Sequence, residues 1–414
     1  MSSIAIGSEI GRLRRVIVHE PGQEIENVTP TGASEALYDD ILFLLPALRE
    51  HRQMTGVLAR VAEVLPLVPL LTTVLEDQRV RHDLLSALCA LHHCPERVGD
   101  LMSLAPEPLA RQLLEGTPMR KDSLAKYLAP GRFDLPPLPN TFFMRDAAMA
   151  VGNCVVIGRM ANAVRRAEAQ IMRAVFRHHP QLAGPLCFDG TQIDDPAVSL
   201  EGGDVQMLRE DLLVIGHSER TSVAGIDRLA TALAARGKVR DVIVVILPHS
   251  RAAIHLDMVF TMIDHELCVV YEPLIVNEPR CRAIRLSLEG GHVVRIHDHD
   301  GLLDALAAVG LPLEPVSCGG DDPVRQEREQ WSSGANFFTF APGKIIGYGR
   351  NAATFEALGR RGFRLVDADA VASGEIDLNE PGRVAVAMSG AESSRGGGGC
   401  RCMTLPVLRE PVAW

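Results

Sequence analysis

The chain has 414 residues, 47% of them apolar and 23% charged, with a formal net charge of −10. That length and balance fit a soluble globular protein with a large core or several domains. The acidic balance argues against a broad basic face for DNA or RNA, and an aromatic content of 4% argues against a stacking surface for single strands. Nine cysteines occur without framework spacing. Cys94, Cys154, Cys187 and Cys268 sit among apolar residues, which predicts buried reduced thiols and a cytoplasmic location. The N-terminus lacks the charged-then-apolar order of a signal peptide. The most apolar stretch, VLPLVPLLTTVL, is twice interrupted by proline and falls short of the roughly 18 residues that span a bilayer, so no membrane contact is expected.

In chain order, LRRVIVHEPG (13–22) reads as a strand stopped by Pro-Gly. Residues 34–62 read as helical on the spacing of Leu42, Leu45, Leu48 and Val57, with a kink or restart at Pro46. Residues 72–128 carry helical patterns with no strand between them, which predicts an all-helical insertion. RFDLPPLPN (132–140) reads as a domain junction near 130. Strand-like runs then follow at 153–158, 205–216, 241–247, 257–271, 336–349 and 383–388. Helical patterns at 161–178, 222–236, 301–309 and 351–361 separate some of them, which predicts an α/β chain with mixed strand pairing. No phosphate-binding glycine loop is present, and GGDDP and EGGD match neither nucleotide fingerprint. HHC (92–94) and HDHD (297–300) could bind metal. HDHD reads rather as a cap-and-turn cluster between strand and helix, without the partners of a closed site, so no metal is expected.

Polar clusters interrupt the apolar runs: Asn140 and Asp146 in NTFFMRDAA, Glu201 and Asp204 in LEGGDVQ, and His255 and Asp257 in HLDMVF. Each alone has an ordinary reading as a turn, a cap or a surface pair. His255 and Asp257, two residues apart, would share one face if they lay on a strand. Near the C-terminus, SRGGGGCRCMTLP places four glycines before Cys400 and Cys402. A glycine run lets backbone approach a ligand closely and aim a thiol into a cavity. Together, a thiol, an imidazole and several carboxylates supply a nucleophile, a proton shuttle and a cation-binding pair.

The chain resembles the arginine deiminase family of guanidine-modifying enzymes. The motifs that carry the resemblance run in family order: RRVIVHEPGQEIENVTP, YDDILFL followed by EH, LPNTFFMRD, LEGGDVQML, IGHSERTS, HLDMVFTMID, QWSSGANFFTFAPG, YGRNAATFEAL and RCMTLP. The resemblance implies a five-bladed pseudosymmetric α/β propeller, formed by residues 1–71 and 129–414, with a helical insertion at 72–128. It implies hydrolysis of the guanidinium group of L-arginine or a close analogue to citrulline and ammonia, through a covalent S-alkylthiouronium intermediate and without a cofactor. Cys402 would be the nucleophile, His255 the general acid and base, and Glu201 its orienting partner. Asp146 and Asp257 would grip the guanidinium. Arg165 and Arg220 would hold the substrate's α-carboxylate, Asn140 would contact its amino acid end, and Asp204 would also bind substrate. A homo-oligomer is expected, with a small-molecule substrate as its partner.

Two positions depart from the family pattern. Gly397 stands where many members carry an arginine, five residues before the nucleophile, and the nearby cation is Arg395. Arg395 would then swing in through the glycines, or the substrate would differ from arginine. Ala147 replaces the usual proline after Asp146. An amidinotransferase, a dihydrolase using the same Cys/His pair, and a catalytically silent arginine-binding protein stay open as alternatives.

Overall fold

The computed structural model describes residues 4–414. Its strands form five sheets of three or more strands and a separate two-stranded ladder, in a mixed α/β fold. One local plan recurs: an antiparallel strand pair, a helix, then a third strand parallel to the second. Ala148–Val151 pairs antiparallel with Cys154–Ile157, and after the helix Arg166–His178 the strand Leu186–Asp189 joins in parallel. Val205–Arg209, Leu212–His217, the helix Val223–Ala234 and Asp241–Ile246 repeat this, and the hairpin Ala283–Glu289/His292–His299 extends their sheet. Phe260–Met262, Leu267–Val270 and Glu314–Ser317 form another such unit. Phe338–Ala341 and Lys344–Tyr348 form the next, with Val384–Met388 and Arg364–Asp367 added in parallel. The last unit draws on both chain ends. Leu405–Arg409 runs antiparallel to Leu13–Val18, which pairs in parallel with Glu63–Pro66 across the helix Leu44–Ala59.

Composition explains why these segments take these forms. DVIVVI lies between a parallel and an antiparallel neighbour with its centre buried, where β-branched side chains fit best. In Arg166–His178, Ile171, Met172, Val175 and Phe176 fall on one helical face and are buried. The strand that opens each unit is preceded by a turn or a short helical turn, and those turns carry the polar residues described below.

Several sequence expectations change in detail. The helix expected over 34–62 forms only at Leu44–Ala59, because Pro46 falls in its first turn, where no intrahelical N–H is required. The block 72–128 is not wholly helical, since Thr117–Pro118 pairs with Phe133–Leu135. The segment expected as a junction is thereby packed in place. Leu84, Leu88, Leu109 and Leu113 of the helical block share one core with Val155, Ile171 and Phe176. His297, Asp298 and His299 lie on the strand His292–His299 rather than in a loop. Cys154 and Cys187 are not free thiols. They sit on neighbouring parallel strands where the register shifts, with Cα atoms 5.8 Å apart, and are bonded to each other. Among the described residues no helix is long and apolar enough to cross a membrane.

Candidate active site

Asp146 lies in the one-turn helix Met144–Ala147, just before the strand Ala148–Val151. Glu201 precedes the 3-10 turn Gly202–Asp204, which runs into Val205–Arg209. His255 caps the 3-10 turn Leu256–Met258, which holds Asp257 and leads towards Phe260–Met262. Asn336 stands two residues before Phe338–Ala341, and Cys402 three residues before Leu405–Arg409. Each of the five sheets thus contributes a polar residue or a thiol from the turn that opens it. His255 and Asp257 lie on a helical turn and not on a strand. Their common location comes from that turn, not from strand alternation.

The turns are tied to one another. The Arg145 backbone N–H donates to the Cys402 carbonyl at 3.0 Å. Asp204 accepts from the Leu256 N–H at 2.9 Å and from the Ser218 hydroxyl at 2.7 Å. His255 Nε2 is 3.0 Å from Glu201 Oε2, and Nδ1 is 3.7 Å from Asp146 Oδ1. Packing here is close enough to require glycine, because a Cβ on Gly203 would lie 2.5 Å from His255 Nδ1.

Cys402 Sγ is 3.1 Å from Asn336 Nδ2 and 3.6 Å from Asp257 Oδ2. Asn336 is fixed at both ends of its amide. Its Nδ2 also donates to the Asp257 carbonyl at 3.0 Å, and its Oδ1 accepts from the N–H groups of Arg401 at 3.0 Å and Cys402 at 3.2 Å. The glycine run has a similar steric cause, since a Cβ on Gly399 would lie 2.7 Å from Asn336 Oδ1. Arg401 is buried between Glu9, at 3.0 and 3.1 Å, and Asp257 Oδ2, at 2.8 Å. Asp257 Oδ1 and Asp146 Oδ1 are buried without a hydrogen-bond partner. Two unpaired carboxylate oxygens beside a thiol make a receptor for a planar cation with several N–H donors.

The electrostatics follow from burial and charge. Burial alone would lower the His255 pKa, but the charge of Asp146 and the hydrogen bond to Glu201 outweigh it and raise the pKa to about 9. Burial opposes ionisation of Glu201, yet His255 and Arg220 hold it down at about 2. Burial, followed by the charges of Asp257 and Asp146, pushes the Cys402 thiol well above the ordinary range. Burial also raises Cys400, whose Sγ is 3.3 Å from Met388 Sδ. Cys402 lines the cavity described next and Cys400 does not.

Cys402, His255, Asp146, Asn140, Arg165 and Arg220 line one inner cavity of about 20 Å³. That holds about one water molecule, so an arginine-sized ligand enters only when a wall moves. Arg165 is engaged by Asp146 at 2.6 Å, Glu168 at 2.8 Å and the Asn140 carbonyl at 3.3 Å. These use four of its five N–H donors and leave one on Nη1. Asn140 donates to the Ala36 carbonyl at 2.8 Å. Arg220 makes only longer contacts, 3.5 Å to Glu201 and 3.7 Å to Glu219. Four expected residues lie outside the cavity lining: Glu201 and Asp257, which touch the lining residues His255 and Cys402, and Asp204 and Arg395. Asp204 is buried and joins two turns, and Arg395 is held by Asp40 and Glu392. Sequence reasoning missed Asn336 and Arg401. GAN looks like any turn asparagine, and nothing local shows what it touches. Asp146, Glu201 and His255 each offer a ligand atom within 4.8 Å of the others. Arg165 is paired with Asp146, and Arg220 and His255 lie against Glu201, so a metal ion would have to displace cationic side chains to use all three ligand atoms.

The arginine deiminase family model matches residues 34–409. The arginine deiminase of Oenococcus oeni is 32% identical over 99% of this chain and 98% of its own. That of Bacillus cereus is 32% identical over 99% of each. The fold is similar to dimethylarginine dimethylaminohydrolase from Pseudomonas aeruginosa complexed with citrulline, at a TM-score of 0.51 and 15% identity over 95% of this chain and 99% of that one. It is also similar to SxtG, an amidinotransferase of Microseira wollei, at a TM-score of 0.55 and 14% identity over 99% and 98%. With a family model covering most of its length and relatives aligned nearly end to end, the chain belongs to the arginine deiminase family.

Proposed function

We propose that this enzyme, an amidine hydrolase by family, converts L-arginine to citrulline and ammonia through a covalent thiouronium on Cys402. The observation that carries this reading is a pocket lined by Asp146, the Cys402 thiol and the protonated His255, with Asp257 against the thiol and one oxygen of each aspartate, Asp146 Oδ1 and Asp257 Oδ1, buried without a hydrogen bond. A guanidinium is planar and stays charged at any ordinary pH. Carboxylates on its N–H edges leave the central carbon open to sulfur. The incoming cation offsets the charge of the two aspartates, and Cys402 ionises more easily, its proton leaving to solvent. The thiolate forms a bond to the guanidinium carbon. That carbon then expels one nitrogen as ammonia, which takes its proton from His255. His255, now neutral and held by Glu201, removes a proton from water. The oxygen adds to the same carbon, the C–S bond breaks, and the added hydroxyl gives its proton to sulfur as the ureido carbonyl of citrulline forms, which restores the thiol. One water is consumed and one ammonia released.

The same proposal arranges the five sheets as five blades around this pocket, with the helical block as an insertion. It is supported by the recurrence of one strand plan and by the inward residue from each sheet. The test is incubation of the purified protein with L-arginine, with and without an amine acceptor, followed by assay of citrulline, ornithine and ammonia. Equal citrulline and ammonia are expected. Ornithine without ammonia would instead indicate amidino transfer, and ornithine with excess ammonia a dihydrolase. Cys402→Ala should form no product and Cys400→Ala should remain active, because Cys400 packs on Met388 away from the cavity.

A further inference from the structure

A second cavity, of about 350 Å³, shares no lining residue with the inner one. It is framed by the segment after the strand Cys154–Ile157, the start of the helix Arg166–His178 and the loop after Leu186–Asp189, and Arg159, Arg166 and Asp194 line it. Arg159 is 9% exposed. Its backbone exchanges two hydrogen bonds with Leu200, at 3.0 and 2.9 Å, and its Nε donates to the Ile193 carbonyl at 2.9 Å. The side chain is thereby fixed, while its two Nη groups have no partner among the described residues. Arg166 makes no side-chain hydrogen bond or ion pair among the described residues, although its Nε is buried. The nearby carboxylates do not answer these charges. Asp189 is paired with Arg173 and Arg177, and Asp195 with Arg228. Asp194 lines the cavity without an ion pair to either arginine. Arg166 also opens a helix of 13 residues, the end at which the helix dipole favours an anion and opposes a cation. Burial, and then the charge of Arg166, lower the Arg159 pKa from its ordinary value, so the two guanidinium groups repel each other.

We infer that this second cavity is a binding site for a phosphate group, held between Arg159 and Arg166. Two like charges largely withdrawn from water, with no carboxylate between them, are unfavourable until a ligand supplies the anion. A guanidinium presents paired N–H donors that match phosphate oxygens. Arg159 offers an Nη edge already oriented by its bond to Ile193, and Arg166 offers all of its donors. A phosphate group carries a charge of about −2 and balances both arginines, which a single carboxylate does not. The cavity exceeds the size of the phosphate itself, and Gln170 and Gln192 add amide groups to its lining. It therefore admits the free anion or a small phosphate ester.

The experiment is titration calorimetry of the full chain with inorganic phosphate and with glycerol 3-phosphate, with acetate and chloride as control anions at matched ionic strength. It compares wild type with Arg159→Gln, Arg166→Gln and Arg177→Gln, the last an exposed arginine of the same helix paired with Asp189. Loss of one charge-assisted hydrogen bond should weaken phosphate binding roughly ten- to a hundred-fold in Arg159→Gln and in Arg166→Gln. Arg177→Gln should bind as wild type does. Arg166→Gln removes no hydrogen bond of the folded chain, so it carries the test should Arg159→Gln fail to fold. Tighter binding of the ester would identify an organic phosphate as the ligand, and tighter binding of inorganic phosphate the free anion; either supports the site. Absence of phosphate binding by wild type, acetate bound as tightly as phosphate, binding unchanged in Arg166→Gln, or an equal loss in Arg177→Gln would overturn it.

Discussion

At the scale of single residues, the thiol at rest is protonated and the imidazole charged, and the chemistry depends on moving that balance. Asn336 donates to Cys402 Sγ at 3.1 Å, and with the Gly399 backbone it works against two carboxylates that oppose ionisation of the thiol. In the proposed mechanism it holds the sulfur in place and stabilises the thiolate, as a positioning residue. Asn336→Ala should lower kcat roughly ten- to a hundred-fold, the worth of a hydrogen bond to a charged group. It should also shift alkylation of Cys402 by iodoacetamide to higher pH, which a purely structural lesion would not do; an unshifted alkylation profile would refute the role. His255 gives the second prediction. Its pKa is raised to about 9, so the proton that the proposed mechanism draws on is in place below that value and is lost above it. The pH profile of kcat/KM should therefore fall as pH rises through about 9. The linked stability has the same sign. It is fully present below the unfolded histidine value of about 6.5 and is lost as pH rises through the folded one. A profile that instead falls near neutrality would show an imidazole unaffected by Asp146 and Glu201.

At the scale of elements, the turns that open the strands position the chemistry, and their glycines are steric necessities. Gly203→Ala would place a methyl carbon 2.5 Å from His255 Nδ1 and 2.6 Å from its Cγ. The ring would have to leave Glu201 or the turn would have to open. Overpacking of this kind costs about 1–3 kcal/mol. The expected result is a lower melting temperature together with a large loss of kcat, read by thermal unfolding and citrulline assay. Unchanged kcat would mean that the ring tolerates the shift. The same elements mark what could be read from the sequence. Apolar runs such as DVIVVI and the stripe of Arg166–His178 declare their form through periodicity alone. Polar interruptions at Asp146, Glu201, His255 and Cys402 were visible for the same reason. Asn336 and Arg401 were not, because their meaning lies in contacts with residues 66 and 144 positions away. Arg395 looked available beside the glycines, and only its partners Asp40 and Glu392 show that it is tied.

At the scale of the whole molecule, the two chain ends meet behind Cys402. The strand Leu405–Arg409 pairs with Leu13–Val18, and Glu9 reaches Arg401, which in turn holds Asp257. Arg401 is 1% exposed, so this ion triad is almost wholly withdrawn from water. Burial opposes the charge of Glu9, but Arg401 keeps its pKa at about 2. Its contribution to stability is thus present above the unfolded glutamate value of about 4.3 and is lost as pH falls towards the folded one. Glu9→Gln keeps the shape and removes the charge, which leaves Arg401 with Asp257 as its one ion-pair partner. Removing one partner of a buried ion pair costs about 3–5 kcal/mol. Chemical denaturation should show a loss of that order at neutral pH, and the difference between variant and wild type should narrow as pH approaches 2, where wild-type Glu9 itself gains a proton. Arg401 should also draw harder on Asp257 in the variant, which weakens the hold of that aspartate on a guanidinium. The KM for arginine should therefore rise alongside the loss of stability. A variant that unfolds more easily but binds arginine as tightly as wild type would show that the triad fastens the chain ends without tuning the site.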